Sequence, residues 1–225
     1  MNSVLEEMVS LSKEISLCEK CQLHLSRIKS VPGEGNISTK ILFIGEGPGY
    51  NENEQGRPFV GRAGEFLNQL LATAGVKRSE VFITNVVKCR PPANRDPLPE
   101  ELSACRGYLL RQIELINPLV IVTLGRYSMG MFFPTERISA VHGQGKWING
   151  RMIVPMFHPA AALHQPALKN SIMHDFSILP QYLKEASEKM NPSAAEEELP
   201  VVESKTDDDK EDHNKPNDAV QLSFF

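Results

Sequence analysis

Apolar residues along the chain follow two rhythms. In Val4–Ile15 they recur at helical spacing (Val4, Leu5, Met8, Leu11, Ile15), and again in Ala63–Ala74, where Phe66, Leu67, Leu70 and Leu71 share one face and Gly75 follows the end. Between the helical stretches lie short, continuously apolar runs. Lys40–Gly45, Val81–Val87, Leu119–Leu124 and Arg151–Phe157 each read as a buried strand. Pro99 suits a first helical turn and opens a helix reaching Ile116. Asn170–Ala186 predicts a last helix, with a break at Pro180.

Continuously apolar strands alternating with helices predict an α/β fold, a three-layer α/β/α sandwich around a mostly parallel, four-stranded sheet. In such sheets ligands bind beyond the carboxyl ends of the strands. The residues to read for chemistry are therefore Gly45-Glu46-Gly47-Pro48-Gly49, Asn85 and His158-Pro159.

From about Ser187 the pattern stops. Residues 186–225 carry 11 acids and 4 bases, a net of −7, within a chain whose net charge is −4. Such a stretch has too little apolar surface to offset chain entropy, so 187–220 is expected to be a disordered acidic linker after a folded unit spanning 1–186. The remaining body is mildly basic, which permits nucleic-acid binding without requiring it. The N-terminus is acidic and amphipathic rather than basic then apolar, and no run is long enough to span a bilayer; a cytoplasmic monomer away from membranes is expected.

In that compartment four cysteines suit a metal better than disulfides. Cys18-x-x-Cys21 follows the first helix, Cys89 follows a strand, and Cys105 lies in the Pro99 helix. A tetrathiolate site would hold zinc or an iron–sulfur cluster, and spacing does not separate them. The competing reading is a redox pair plus two buried thiols.

The glycine turn at 45–49 looks like a phosphate cradle but carries Glu46, followed by Glu52 and Glu54, and no lysine until Lys77. A phosphate would want the opposite charge. Phe59, Asn85 and His158 each have an ordinary structural role when taken alone. Brought to one crevice, they offer a stacking face, an amide that donates and accepts side by side, and a donor for a second carbonyl. That set matches a uracil-like ring.

These residues carry a resemblance. The chain resembles the family 4, iron–sulfur uracil-DNA glycosylases, through CEKCQLH at 18–24, GEGPGYNENEQGRPFVGRAG at 45–64, TNVVKCRPP at 84–92, TLGRYS at 123–128 and HPAAAL at 158–163. The resemblance implies hydrolysis of the N-glycosidic bond of uracil flipped out of DNA, at the start of base excision repair. It implies a [4Fe–4S] cluster on Cys18, Cys21, Cys89 and Cys105, with zinc as the alternative occupant. Phe59 would stack on the base, Asn85 would read its edge and His158 would bond O2. Glu46 and Gly47 would lie by the sugar and the attacking water, and Glu52 would exclude a thymine methyl. Leu163 is the candidate wedge for the vacated stack. Arg57, Arg62, Lys88 and Arg90 are candidate phosphate contacts, and the cluster is expected to order the Lys88–Arg95 loop. A non-catalytic module binding damaged DNA or a nucleotide, with a structural four-cysteine metal site, shares every one of these motifs. At the far end, Gln221-Leu222-Ser223-Phe224-Phe225 resembles the pentapeptide that docks on bacterial sliding clamps, with Gln221, Leu222, Phe224 and Phe225 as anchors.

Overall fold

The computed structural model describes residues 2–191, so the acidic stretch beyond Asn191 and the 221–225 pentapeptide lie outside the described residues. Four parallel strands form the centre of the sheet: β2 (Ile41–Gly45), β3 (Phe82–Asn85), β4 (Val120–Leu124) and β6 (Arg151–Met156). The sheet is larger than the four strands expected. Short antiparallel edges, β1 (Glu34–Gly35) and β5 (Lys146–Ile148), extend it to six in the order β1-β3-β2-β4-β6-β5. Neither edge has a fully buried residue, so neither leaves an apolar run in the sequence.

Every residue of β2 is buried, because helices cover both faces. On one side Leu42 and Ile44 pack with Met8, Leu11 and Ile15 of α1 (Asn2–Ser16) and with Tyr108, Leu109 and Ile113 of α4 (Pro99–Ile116). On the other, Ile41 and Phe43 pack with Leu67, Leu70 and Leu71 of α3 (Arg62–Thr73) and with Phe176 of α8 (Lys169–Ser177). The expected last helix is two, α8 and α9 (Leu179–Met190), since Pro180 suits a first turn and not a helix interior. α9 runs past the expected boundary at 186: Ala186 is fully buried, and Lys189 lies 4.4 Å above the Trp147 ring. Among the described residues no helix is long and apolar enough to cross a membrane.

The strand order places β3 and β4 on opposite sides of β2, so their crossovers diverge at its carboxyl end. A crevice opens at such a switch point. Register aligns Gly45 with Asn85 and Leu124 with Met156, which brings the glycine turn, the asparagine and the chain leading to His158 to one rim.

Candidate active site

A cleft of about 520 Å³ occupies that rim, and its walls include Glu46, Gly47, Glu52, Phe59, Asn85 and His158. Of the strand-end residues singled out from sequence, Glu46 to Gly49, Asn85 and His158 share this cavity, while Gly45 and Pro159 stand behind its walls. The close approach of the cavity residues depends on absent side chains. A Cβ on Gly45 would collide with Asn85 Oδ1 and stand 2.8 Å from the Phe59 ring. Phe59 has left-handed backbone (φ 50°), and a Cβ on Gly64 would collide with its carbonyl oxygen. The glycines thus set an aromatic plate and an amide against each other at the end of β2.

Asn85 is 1% exposed, and its Oδ1 is a buried acceptor with no partner among the described residues. Leaving such an atom unpaired costs about 1–3 kcal/mol, so a ligand that donates to it recovers that loss. The Phe59 and His158 rings are stacked with centroids 5.4 Å apart.

His158 caps α7 (Pro159–His164), its Nδ1 accepting from the Ala160 N–H at 3.1 Å. That bond assigns the proton of the neutral ring to Nε2, so the imidazole is a donor. Burial pulls its pKa down to about 4, against a small opposing effect of Glu52. The ring is neutral at physiological pH. Burial also raises the pKa of Glu46, as does the nearby Asp96 charge, while Arg126 opposes both.

Glu52 lies in the first turn of α2 (Tyr50–Gln55), the short helix that follows the glycine turn. Its carboxylate accepts from the N–H groups of Gly49 (3.1 Å), Val60 (2.8 Å) and Gly61 (3.0 Å), fastening the glycine turn to the segment that carries Phe59. Leu163 lies on α7, 37% exposed, in the same helix as the cavity-lining Ala160, Ala161 and His164.

Among the wall residues not singled out from the sequence are Asn94, Arg95, Asp96 and His164. Arg95 forms a bidentate pair with Glu101 (2.6 and 2.9 Å), and the Glu101 carboxylate also accepts from Leu98 N–H, which fixes the loop to the start of α4. Asp96 pairs with Arg126 of α5 (Arg126–Met129). Asn and Asp between prolines mark a rigid turn, and that was the available signal.

Lys88 is corrected as a phosphate contact. It is 1% exposed, and burial pulls its pKa down to about 7. Its Nζ is held by Thr84, Asn85 and Gln112, so it points into the core and away from any DNA surface. Of the other three, Arg57 pairs with Glu34 at 2.5 Å, Arg62 opens α3 at the surface, and Arg90 lies 5.3 Å from the exposed Tyr50 ring.

The four cysteines come from three separated segments and line one small cavity beside Ile15, Leu23 and Tyr108. Donors already face the sulfurs: Lys20 N–H to Cys18 at 3.5 Å, and the Arg27 guanidinium to Cys89 at 3.6 Å. Burial pushes the Cys105 thiol up to about 11 and raises Cys21 and Cys89, so thiolates there need a cation to form. Among the described residues, no three Cys, His, Asp or Glu side chains converge tightly enough to hold a single ion.

Comparison with known proteins agrees with the geometry. Residues 32–177 match the model of the uracil DNA glycosylase superfamily, and the chain belongs to that superfamily. A type-4 uracil-DNA glycosylase of Thermotoga maritima is 44% identical over 184 residues, covering 80% of this chain and 96% of the relative. Type-4 enzymes of Archaeoglobus fulgidus (43% identity, 76% of this chain and 91% of the relative) and Saccharolobus solfataricus (47%, 74% and 82%) match similarly.

Proposed function

We propose that this chain is a uracil-DNA glycosylase that hydrolyses the bond between uracil N1 and deoxyribose C1′, leaving an abasic site for repair. The observation that carries the reading is the unpartnered, buried Asn85 Oδ1 beside the Phe59 ring and a neutral histidine donor. Uracil presents an N–H between two carbonyls: N3–H fits Oδ1, the Asn85 amide donor fits O4, and His158 Nε2–H fits O2.

The chemistry follows from charge. As the N1–C1′ bond breaks, negative charge collects on uracil and positive charge on the sugar. The Nε2–H donor stabilises the first, and an ionised Glu46 stabilises the second and orients water. Water gives its hydroxyl to C1′ and its proton ends on uracil, so the reaction balances without an oxidant or metal-bound nucleophile. Uracil must leave the stack first, at a few kcal/mol. The exposed Leu163 would fill the gap, and the 91–98 loop, fastened by the bidentate Arg95–Glu101 pair, would give the DNA a wall.

Cys18, Cys21, Cys89 and Cys105 would hold a [4Fe–4S] cluster. Support comes from one small cavity shared by four cysteines of three separated segments, with N–H donors already facing two of the sulfurs. The cluster would supply cross-linking, since base hydrolysis moves no electrons. Residues 221–225 would bind a sliding clamp by Gln221, Leu222, Phe224 and Phe225; deleting them should abolish clamp pull-down and spare activity on short oligonucleotides.

The test of the main reading is uracil release from a uracil-containing oligonucleotide by anaerobically purified protein. Tight binding to that oligonucleotide with no released base would favour the non-catalytic module instead.

A further inference from the structure

Lys88 is one of the largest fully buried side chains in the protein, and it faces no carboxylate among its hydrogen-bond partners. Its ammonium donates to three neutral oxygens: Thr84 Oγ1 at 2.6 Å, the Asn85 backbone carbonyl at 2.7 Å and Gln112 Oε1 at 2.7 Å. Two of these acceptors are themselves anchored, because Thr84 Oγ1–H and the Gln112 amide both donate to the Pro32 carbonyl, at 2.7 and 2.8 Å. Burying a cation costs several kcal/mol, and an apolar residue of similar size would avoid that cost. What the amine supplies is a set of donors that fills three fixed acceptors and ties them into one network.

One of those acceptors belongs to the residue that reads the base. The Asn85 side chain has no hydrogen bond through Oδ1 to hold it in place. Its position depends on packing against Gly45 and on its own backbone, whose carbonyl Lys88 holds from behind the cavity wall.

We propose that Lys88 is the positioning residue for Asn85: by clamping the Asn85 carbonyl between the anchored Thr84 and Gln112, it fixes where the amide stands and hence which pyrimidine edge the cavity accepts. Lys88 touches no substrate and acts through Asn85; because it also lines the cysteine cavity, the iron content of each variant separates the two roles. This inference rests on the uracil reading of the cleft.

The test is a double-mutant cycle in the metal-loaded, full-length protein. Lys88→Met keeps the length of the side chain and removes its charge and donors. Single-turnover uracil release and affinity for free uracil are measured for wild type, Lys88→Met, Asn85→Ala and the double variant, with iron content per chain recorded for each. Misplacing a reading group by about 1 Å can cost about 100-fold, and that is the loss expected for Lys88→Met in the wild-type background. Free-uracil affinity should fall in parallel, and affinity for abasic-site DNA should not change. In the Asn85→Ala background the same substitution should change the rate by no more than about twofold. An equal loss in both backgrounds, or no loss in either, overturns the proposal. If Lys88→Met does not fold, Thr84→Val removes one of the three acceptors at constant shape. It should give a smaller loss, again only when Asn85 is present; a loss independent of Asn85 overturns the proposal too. A wild type that neither releases nor binds uracil rejects the reading of the cleft itself, and that arm is separate from the cycle.

Discussion

The imidazole of His158 illustrates how a single backbone contact assigns a chemical role. Because Nδ1 accepts from Ala160 N–H, the neutral ring has its proton on Nε2. A donor of this kind matters most when charge develops on its partner, and removing one typically costs about 10²–10³ in rate. His158→Ala should therefore lower single-turnover uracil release by about that factor while leaving affinity for uracil-containing DNA within about threefold. A variant that loses affinity and rate together would make His158 a binding group only. Glu46 governs the acid side of the pH profile. Its carboxyl must be ionised to stabilise a cationic sugar, and burial together with Asp96 raises its pKa above the usual 4.5. Activity should accordingly fall, as the pH is lowered, at a higher pH than an ordinary glutamate would give. The histidine does not set this limb, since it becomes charged only near pH 4. Asp96→Asn removes a like charge and frees Arg126, both of which favour the carboxylate. The acid limb of the single-turnover pH–rate profile should shift to lower pH; an unchanged limb would show that another group sets it.

The elements bring these side chains together only because certain positions are bare. Gly45 ends β2, where a Cβ would collide with both Asn85 and the Phe59 ring. Gly107 sits exposed in the interior of α4 with nothing within 4 Å of its would-be Cβ. Gly45→Ala should abolish free-uracil binding in a calorimetric titration. Gly107→Ala should raise stability by about 0.5–1 kcal/mol, seen as a higher denaturation midpoint with unaltered binding. The contrast separates a glycine required by the site from one that merely costs helix stability. It also marks the boundary of what the sequence makes legible. The four central strands and the Pro99–Ile116 helix are plain in the apolar pattern, because each is buried on every side or along one continuous face. The edges at Glu34–Gly35 and Lys146–Ile148 are not, since half-exposed two- and three-residue strands carry no period. At the site, residues at strand ends were readable because the parallel architecture says where strand ends point. Asn94, Arg95 and Asp96 reach the cavity through the path of a loop, which no periodicity encodes. Lys88 misled for a related reason: a lysine two residues before an arginine, in the turn after a strand, looks like surface, and only the Thr84–Gln112 acceptors explain its burial.

Over the whole molecule the question is what holds the N-terminal helix against the body. α1 buries Met8, Leu11 and Ile15 against α4 and the sheet, and Arg111 of α4 reaches Glu14 at 2.5 and 3.0 Å. Both members of that ion pair are about half exposed, so solvent screens it and it contributes little. The apolar seam is three side chains wide and ends where Cys18 and Cys21 begin. A metal cluster there would tie this helix to Cys89, close to Asn85 in the chain, and to Cys105 within α4 itself. Cys105→Ser removes one of the two buried thiols without touching the cleft. If the cluster is the cross-link proposed, this variant should lose iron, and amide exchange over Asn2–Ser16 should rise toward that of an unprotected segment. Loss of a structural cross-link costs about 2–5 kcal/mol, which for a chain of this length corresponds to a melting point lower by roughly 5–20 °C. Exchange within β2 and β4 should rise less than exchange within α1, because those strands keep covering helices on the opposite face. Iron loss with α1 still protected would mean that the apolar seam alone secures the helix, and that the four cysteines serve the loop that follows Asn85 instead.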